Sequence, residues 1–225
     1  MMELTYAFMD PTGNMTVLVE QAVPTAEQPQ AAAAIMAVEP LCEQGGFVVD
    51  APDGCDTAIR MAGGEFCGNA AMCAASLYAL SCGMEEEKPL RVSVSGREVE
   101  IVVTPAADGY ACSVAMSAPK EIITVEKGGL TLPVVLSDGI SHAVLLGAVE
   151  DSTAETIVRE LCEELRAEAL GLMQVDLEAG TMNPLVYVPE AKTMFWENSC
   201  GSGTAAVGAY LRYSTGKAVS LPLRQ

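Results

Sequence analysis

Two stretches of this chain run for the length of a helix without a single charged residue: residues 66–84 and 198–211. Both are rich in alanine. A helix with no charged face is a buried helix, and both stretches are too short to cross a bilayer. Each is expected to run through the middle of a small domain, wrapped by strands. The two also resemble each other. Cys67-Gly68-Asn69-Ala70-Ala71 lies against Cys200-Gly201-Ser202-Gly203-Thr204, and a glutamate, Glu65 or Glu197, precedes each. Each cysteine falls near the middle of its half of the chain. The pattern predicts an internal duplication, with one domain over residues 1–117 carrying Cys67 and a second over 118–225 carrying Cys200.

Most of the remaining sequence reads as short strands, rich in valine and isoleucine and bounded by glycine, proline and aspartate. The candidates are residues 16–19, 47–49, 91–95, 99–103, 111–116, 122–125, 132–136, 143–146, 185–188 and 193–196. Gly83 and Ser95-Gly96 read as turns. Two surface helices are expected. One covers residues 25–41. The other starts near Ser152, with Glu155 completing a capping box, and its apolar positions Ile157, Leu161, Leu165 and Ala169 step by four. The fold class is therefore α+β: two pseudo-symmetric domains, each a strand-rich sheet or barrel around a central buried helix.

Composition narrows the function classes. Half of the 225 residues are hydrophobic, which places the chain among globular proteins. Its net charge of −18 argues against nucleic acid or an anionic membrane as partner. The acids are spread along the chain, as on a solvated surface. The N-terminus lacks a basic region followed by an apolar one, so no secretory signal is expected and the eight cysteines read as free thiols in a reducing, cytoplasmic setting. No metal is expected. Cys67 and Cys73 are too far apart for a zinc knuckle, and His142 is the single histidine of the sequence. Cys42, Cys55, Cys82, Cys112 and Cys162 read as small apolar fillers.

The chemistry concentrates at Cys67 and Cys200. A sulfur at a helix N-terminus sits at the positive end of the dipole, which favours its thiolate. A thiolate can act as a general base and a thiol as a general acid. The N–H groups of Gly68-Asn69 and of Gly201-Ser202-Gly203 would form anion sites. Two such helix ends facing each other across a cleft would hold one carboxylate between two sulfurs. That arrangement suits inversion at an α-carbon, one thiolate removing the proton while the opposite thiol delivers another. The same pair could also serve a dithiol redox protein.

The residues Phe66-Cys67-Gly68-Asn69-Ala70-Ala71-Met72 and Trp196-Glu197-Asn198-Ser199-Cys200-Gly201-Ser202-Gly203-Thr204 resemble the two cysteine motifs of the diaminopimelate epimerase fold family. Pro11-Thr12-Gly13-Asn14-Met15-Thr16 is similar to its N-terminal Gly-Asn motif, and Ser141-His142-Ala143-Val144 to its mid-chain histidine element. The four matches follow the family's order over nearly the whole chain. Within it, the Gly13-Asn14-Met15-Thr16 run, Cys42-Glu43-Gln44, the Phe66-Cys67-Gly68-Asn69-Ala70 run and above all residues 196–204, with residues 183–190 besides, are most similar to the histidine racemases of staphylopine-type metallophore biosynthesis. The resemblance implies an active site between two domains, a small amino-acid substrate, no pyridoxal phosphate and no metal, and cytoplasmic work, often as a homodimer. Glu197-Asn198 stands where diaminopimelate epimerases carry a Glu-Arg pair, and Met61-Ala62-Gly63-Gly64 replaces their longer Asn-containing turn. Both differences count against diaminopimelate, though another amino acid stays open as substrate. Family members continue past the second cysteine's helix with further strands. This chain ends at Gln225, and those strands are expected to be missing.

The resemblance extends the candidate site beyond Cys67 and Cys200. Asn14, on its own a turn residue, becomes a substrate contact. Glu43 is either a surface acid or the acceptor of an imidazole N–H from the substrate. His142, a lone histidine before an apolar strand, reads more readily as structural, but joins the substrate-binding set. Glu197 is expected to meet the substrate's ammonium group or to lie against the helix entrance. Gly68, Asn69, Gly201 and Ser202 complete the set as binding backbone, and Trp196 reads as core.

Overall fold

The structure, a computed structural model, describes residues 4–116 and 118–225. The described residues divide between Ala115 and Met116 into two compact units.

The first unit is a seven-stranded sheet whose strands lie in chain order. β1 (Tyr6–Met9), β2 (Thr16–Val19), β3 (Gln44–Val49) and β4 (Thr57–Met61) are followed by β5 (Lys88–Val94), β6 (Arg97–Ala106) and β7 (Gly109–Val114). Two neighbouring pairs are parallel, β2 with β3 and β4 with β5. A parallel pair needs a crossover, and the two crossovers contain α1 (Gln28–Met36) and α2 (Gly68–Ser81). The other pairs are antiparallel. The hairpin of β5 and β6 closes on Ser95 and Gly96, at φ 50° and 83°, the positive values a two-residue turn requires.

α2 packs against β2, β4, β5, β6 and β7, so the sheet curls around it. Its contacting face is Ala70, Ala71, Ala74, Ala75 and Ala79. These meet Leu18, Ile59, Leu90, Val92, Ile101 and Val103, all buried. Side chains this small bring the helix axis close to the strands, so one short helix reaches five of them. Charge-free patterning and central burial thus agree for this segment.

The second unit is a six-stranded sheet in the order β13-β12-β11-β10-β9-β8. Its strands are β8 (Glu121–Lys127), β9 (Leu130–Leu136), β10 (Ser141–Leu146), β11 (Leu170–Asp176), β12 (Thr181–Val188) and β13 (Thr193–Trp196). β10 and β11 are parallel, joined through α3 (Asp151–Leu165). α3 buries Ala154, Ile157, Val158, Leu161 and Cys162 against β11 and β12. α4 (Gly201–Thr215) packs on β9, β10 and β11. It is buried along one stripe, Gly203, Ala206, Val207 and Leu211. Both units therefore follow one plan: a strand, a helical crossover, a parallel strand, an antiparallel neighbour, and then a Cys-Gly helix. In the second unit β13 is inserted before that helix.

Several local expectations are corrected. The first surface helix is a 3-10 turn over Thr25–Glu27 followed by α1, which stops at Met36. Pro40 disfavours helical backbone at Glu39, so the chain leaves the helix before the expected end. The Ser152–Glu155 capping box does not form. Glu150 is the N-cap, with no side-chain cap bond, and Ser152 lies inside α3. α3 also ends earlier than the apolar stepping suggests, at Arg166 in the left-handed conformation (φ 50°, ψ 40°). β1, β4 and β11 were not expected. Among the described residues, no helix is long and apolar enough to cross a membrane.

Candidate active site

In the first unit the turn at Thr12 (φ 61°) and Gly13 (φ 98°), pinned by Gly13 N–H donating to Asp10 Oδ1 at 2.6 Å, delivers Asn14 into the interior. Asn14 has no exposed surface. Both ends of its amide meet protein groups: Nδ2 donates to Glu43 Oε2 at 2.9 Å, and Oδ1 accepts from Gln44 Nε2. Gln44 Nε2 also donates to Thr16 Oγ1 at 2.8 Å. The parallel register of β2 on β3 sets Thr16 opposite Gln44.

Gln44 Oε1 accepts the Cys67 thiol proton, with sulfur and oxygen 3.0 Å apart. Cys67 is the N-cap of α2, in extended backbone (φ −132°, ψ 117°). Its sulfur accepts from Ala70 N–H at 3.4 Å, so it caps the helix as a serine oxygen would. Asn69 is buried beside it. Asn14, Glu43 and Cys67 are therefore brought into one connected group. Gln44 and Thr16, which complete it, were not among the candidates. Their signal is weak in sequence: two polar residues at the starts of apolar strands, which meet only through a long-range pairing.

The second unit gathers Cys200, Ser202, His142 and Glu197. Cys200 is the N-cap of α4 (φ −126°, ψ 94°) and is buried. Its sulfur lies 3.6 Å from Ser202 Oγ, which in turn lies 3.1 Å from His142 Nε2. Its backbone N–H donates to Gln225 Oε1 at 2.6 Å. Burial pushes the Cys200 thiol well up, and the Glu197 carboxylate reinforces this through its charge and its hydrogen bond to the thiol. The helix dipole suggested a favoured thiolate. At Cys200 desolvation and a neighbouring carboxylate outweigh it, and the thiol form prevails. Glu197 takes the position beside the helix entrance.

His142 is fully buried on β10, and burial pulls it from 6.5 to about 4. It is thus a neutral imidazole at ordinary pH, behind Ser202. Glycines make room for this group. A Cβ at Gly171, opposite His142 in the parallel pair, would fall 2.8 Å from His142 Cδ2. Trp196 is half-buried and packs against the core beneath α3. Among the described residues, no group of three or more His, Cys, Asp or Glu side chains is placed to hold a metal ion.

Residues 3–225 match the family model described as the histidine racemase CntK N-terminal domain. The histidine racemase of Staphylococcus aureus is 29% identical over 222 residues, covering 93% of this chain and 80% of that protein. The histidine racemase of Fusobacterium nucleatum is 30% identical over 220 residues, covering 93% and 81%. Solved structures share the fold. A predicted epimerase of Pseudomonas aeruginosa superposes with a TM-score of 0.64 at 16% identity, over 92% of this chain and 78% of that one. A hydroxyproline epimerase of Agrobacterium vitis, with trans-4-hydroxy-L-proline bound, gives 0.57 at 14% identity, over 92% and 74%.

Proposed function

This chain belongs to the histidine racemase family and is an amino-acid racemase, and we propose that it interconverts L- and D-histidine with Cys67 and Cys200 as its two bases. The observation that carries the mechanism is the repeated placement of a cysteine at a helix N-cap with a proton acceptor against its sulfur. At Cys67 the acceptor is the Gln44 carbonyl; at Cys200 it is the Glu197 carboxylate.

In the proposed reaction one thiolate breaks the α C–H bond and becomes a thiol. The electron pair is left on the α-carbon and spreads into the carboxylate. The other thiol gives its proton to the opposite face of that carbon and is left as the thiolate. Atoms balance without another reagent, and the enzyme ends with its two protonation states exchanged. The mechanism requires the two sulfurs to reach opposite faces of one α-carbon.

Each neighbouring group then has a task. The Glu197 carboxylate accepts the hydrogen bond of the Cys200 thiol and keeps that proton in place until it is delivered to the α-carbon. A thiolate formed at so unfavourable a site is a strong base toward a carbon acid. The N-terminal N–H groups of α2 and α4, at Gly68-Asn69 and Gly201-Ser202, suit the carboxylate as charge builds on it. The Glu43 carboxylate, which accepts from Asn14, is assigned to the imidazole N–H of the substrate.

The test is a panel of L-amino acids in deuterated water, read by α-deuterium incorporation. Histidine is expected to exchange and racemise fastest. Faster exchange with another amino acid would reassign the substrate. No exchange with any of them would leave only a thiol redox or binding protein of this fold.

A further inference from the structure

We propose that Glu43, Asn14 and Gln44 form a one-way hydrogen-bond relay that holds Cys67 as a proton donor, so that the resting enzyme presents Cys67 as its acid. The proposal deepens the two-thiol reading above and rests on it for its catalytic meaning. The direction of the relay comes from its far end. An ionised carboxylate can only accept, so Glu43 Oε2 takes a proton from Asn14 Nδ2. That turns Asn14 Oδ1 toward Gln44, which must answer with Nε2–H.

A second lock acts at Gln44. The Thr16 hydroxyl spends its own proton on Asn14 O at 3.0 Å, so its oxygen is left to accept from Gln44 Nε2 at 2.8 Å. Both protons of the Gln44 amide nitrogen are then committed. The carbonyl Oε1 faces the sulfur and can only accept, 3.0 Å away. A thiol satisfies it; a thiolate would face a carbonyl oxygen instead. Asn14 and Thr16 are without exposed surface, so water does not compete at the middle of the relay.

The titratable groups near Cys67 leave this direction intact. Glu43 anchors the relay. Cys42 donates its thiol proton to Gln44 O at 3.1 Å. Cys73, further along α2, is pushed up to about 12, chiefly by burial, and stays a neutral thiol. Asp10 acts on Cys73 more weakly, and Glu65 is buried two residues before Cys67. Gln44, Asn14 and Thr16 are positioning residues here, acting on the reaction through Cys67.

The unequal partners of the two sulfurs give this a consequence. Cys67 faces a neutral carbonyl and Cys200 a carboxylate, and each accepts from a thiol. The relay thereby sets Cys67 to give its proton, and the turnover that needs Cys67 as base must work against it.

The test needs no substrate. Alkylation of the full chain by iodoacetamide is followed from about pH 6 to about pH 10, a range spanning thiol titration, with Cys67, Cys200 and exposed Cys82 resolved by peptide mass spectrometry. Glu43→Gln is nearly isosteric but can present either end of its amide, which releases the direction of the relay. Gln44 can then turn Nε2–H to the sulfur, the Thr16 hydroxyl rotating its proton from Asn14 O to the Gln44 carbonyl that now faces it. Cys67 alkylation at neutral pH is expected to rise about tenfold, the worth of exchanging one hydrogen bond at sulfur, while Cys82 and Cys200 keep the parent profile. Gln44→Glu places an acceptor-only charge at the thiol and is expected to move the Cys67 profile to higher pH. A Cys67 profile in Glu43→Gln that overlies the parent's, or moves the same way as in Gln44→Glu, overturns the relay. α-Deuterium exchange tests the racemase reading separately, so the two ideas can fail independently.

Discussion

Gly203 lies so close to Met173 that a Cβ at this position would overlap Met173 Sδ and come within 3.1 Å of Cys200 Sγ. The glycine sits in the first turn of α4, and Met173 is fully buried on β11. The Cys200 sulfur is thus held where it is partly by the absence of a single carbon atom. Gly203→Ala is expected to displace the sulfur and to destabilise the second unit by about 1–3 kcal/mol, as overpacking does. Gly208→Ala, further along α4 with nothing within 4 Å of the added carbon, is expected to stabilise by about 0.5–1 kcal/mol. Thermal melts and turnover numbers of the two variants check this: only Gly203→Ala should lose both stability and activity.

His142 makes stability depend on acid. Its folded-state value lies near 4, below its usual 6.5, because burial excludes the charged ring. The unfolded chain takes up that proton first as pH falls. The stabilising contribution is therefore complete above about pH 6.5 and is lost on descending toward about pH 4, reaching about 3 kcal/mol for such a shift. His142→Gln should flatten stability over this window while the parent declines. Urea midpoints at several pH values measure it, and parallel decline of the two proteins would place the dependence elsewhere.

Two thiols suffice for the proposed proton transfers. Racemisation is expected to survive dialysis against a chelator and treatment with hydroxylamine, and the purified protein is expected to lack pyridoxal absorbance. Activity lost on chelation and restored by a metal ion would contradict the cofactor-independent mechanism.

What could be read from sequence depended on how local each signal was. Residues 16–19 and 193–196 show their strands in full, as β2 and β13, and the charge-free alanine run of α2 signals its central place directly. β11 did not show itself. Its residues Leu170-Gly-Leu-Met-Gln-Val are buried on both faces, so no alternation marks them, and Gly171 argues against a strand. The structure supplies the reason for that glycine: any side chain there would strike His142. β4 was hidden by Arg60, a charge in mid-strand, whose guanidinium donates to Gln28 Oε1 at 2.9 Å.

The site divides in the same way. The cysteines, Asn14 and Glu43 stand in recognisable short motifs. Gln44 looks like any polar residue opening a strand, and its role depends on a pairing with β2 that brings Thr16 and Asn14 to it from some thirty residues away. The reversal at Cys200, where the helix dipole promised a thiolate, is likewise a matter of burial and of Glu197, and neither is visible at the Cys-Gly motif itself.

The central claim is that each sulfur serves one face of the α-carbon. It is tested most directly by α-proton exchange of L- and D-histidine in deuterated water by Cys67→Ser and Cys200→Ser. Both variants are expected to lose racemisation by about 10²–10⁴-fold, the usual worth of an acid–base group. Each should retain exchange with one enantiomer, and the preferred enantiomer should be opposite in the two. Near-normal racemisation by either variant, or the same enantiomer preferred by both, would contradict the two-base account.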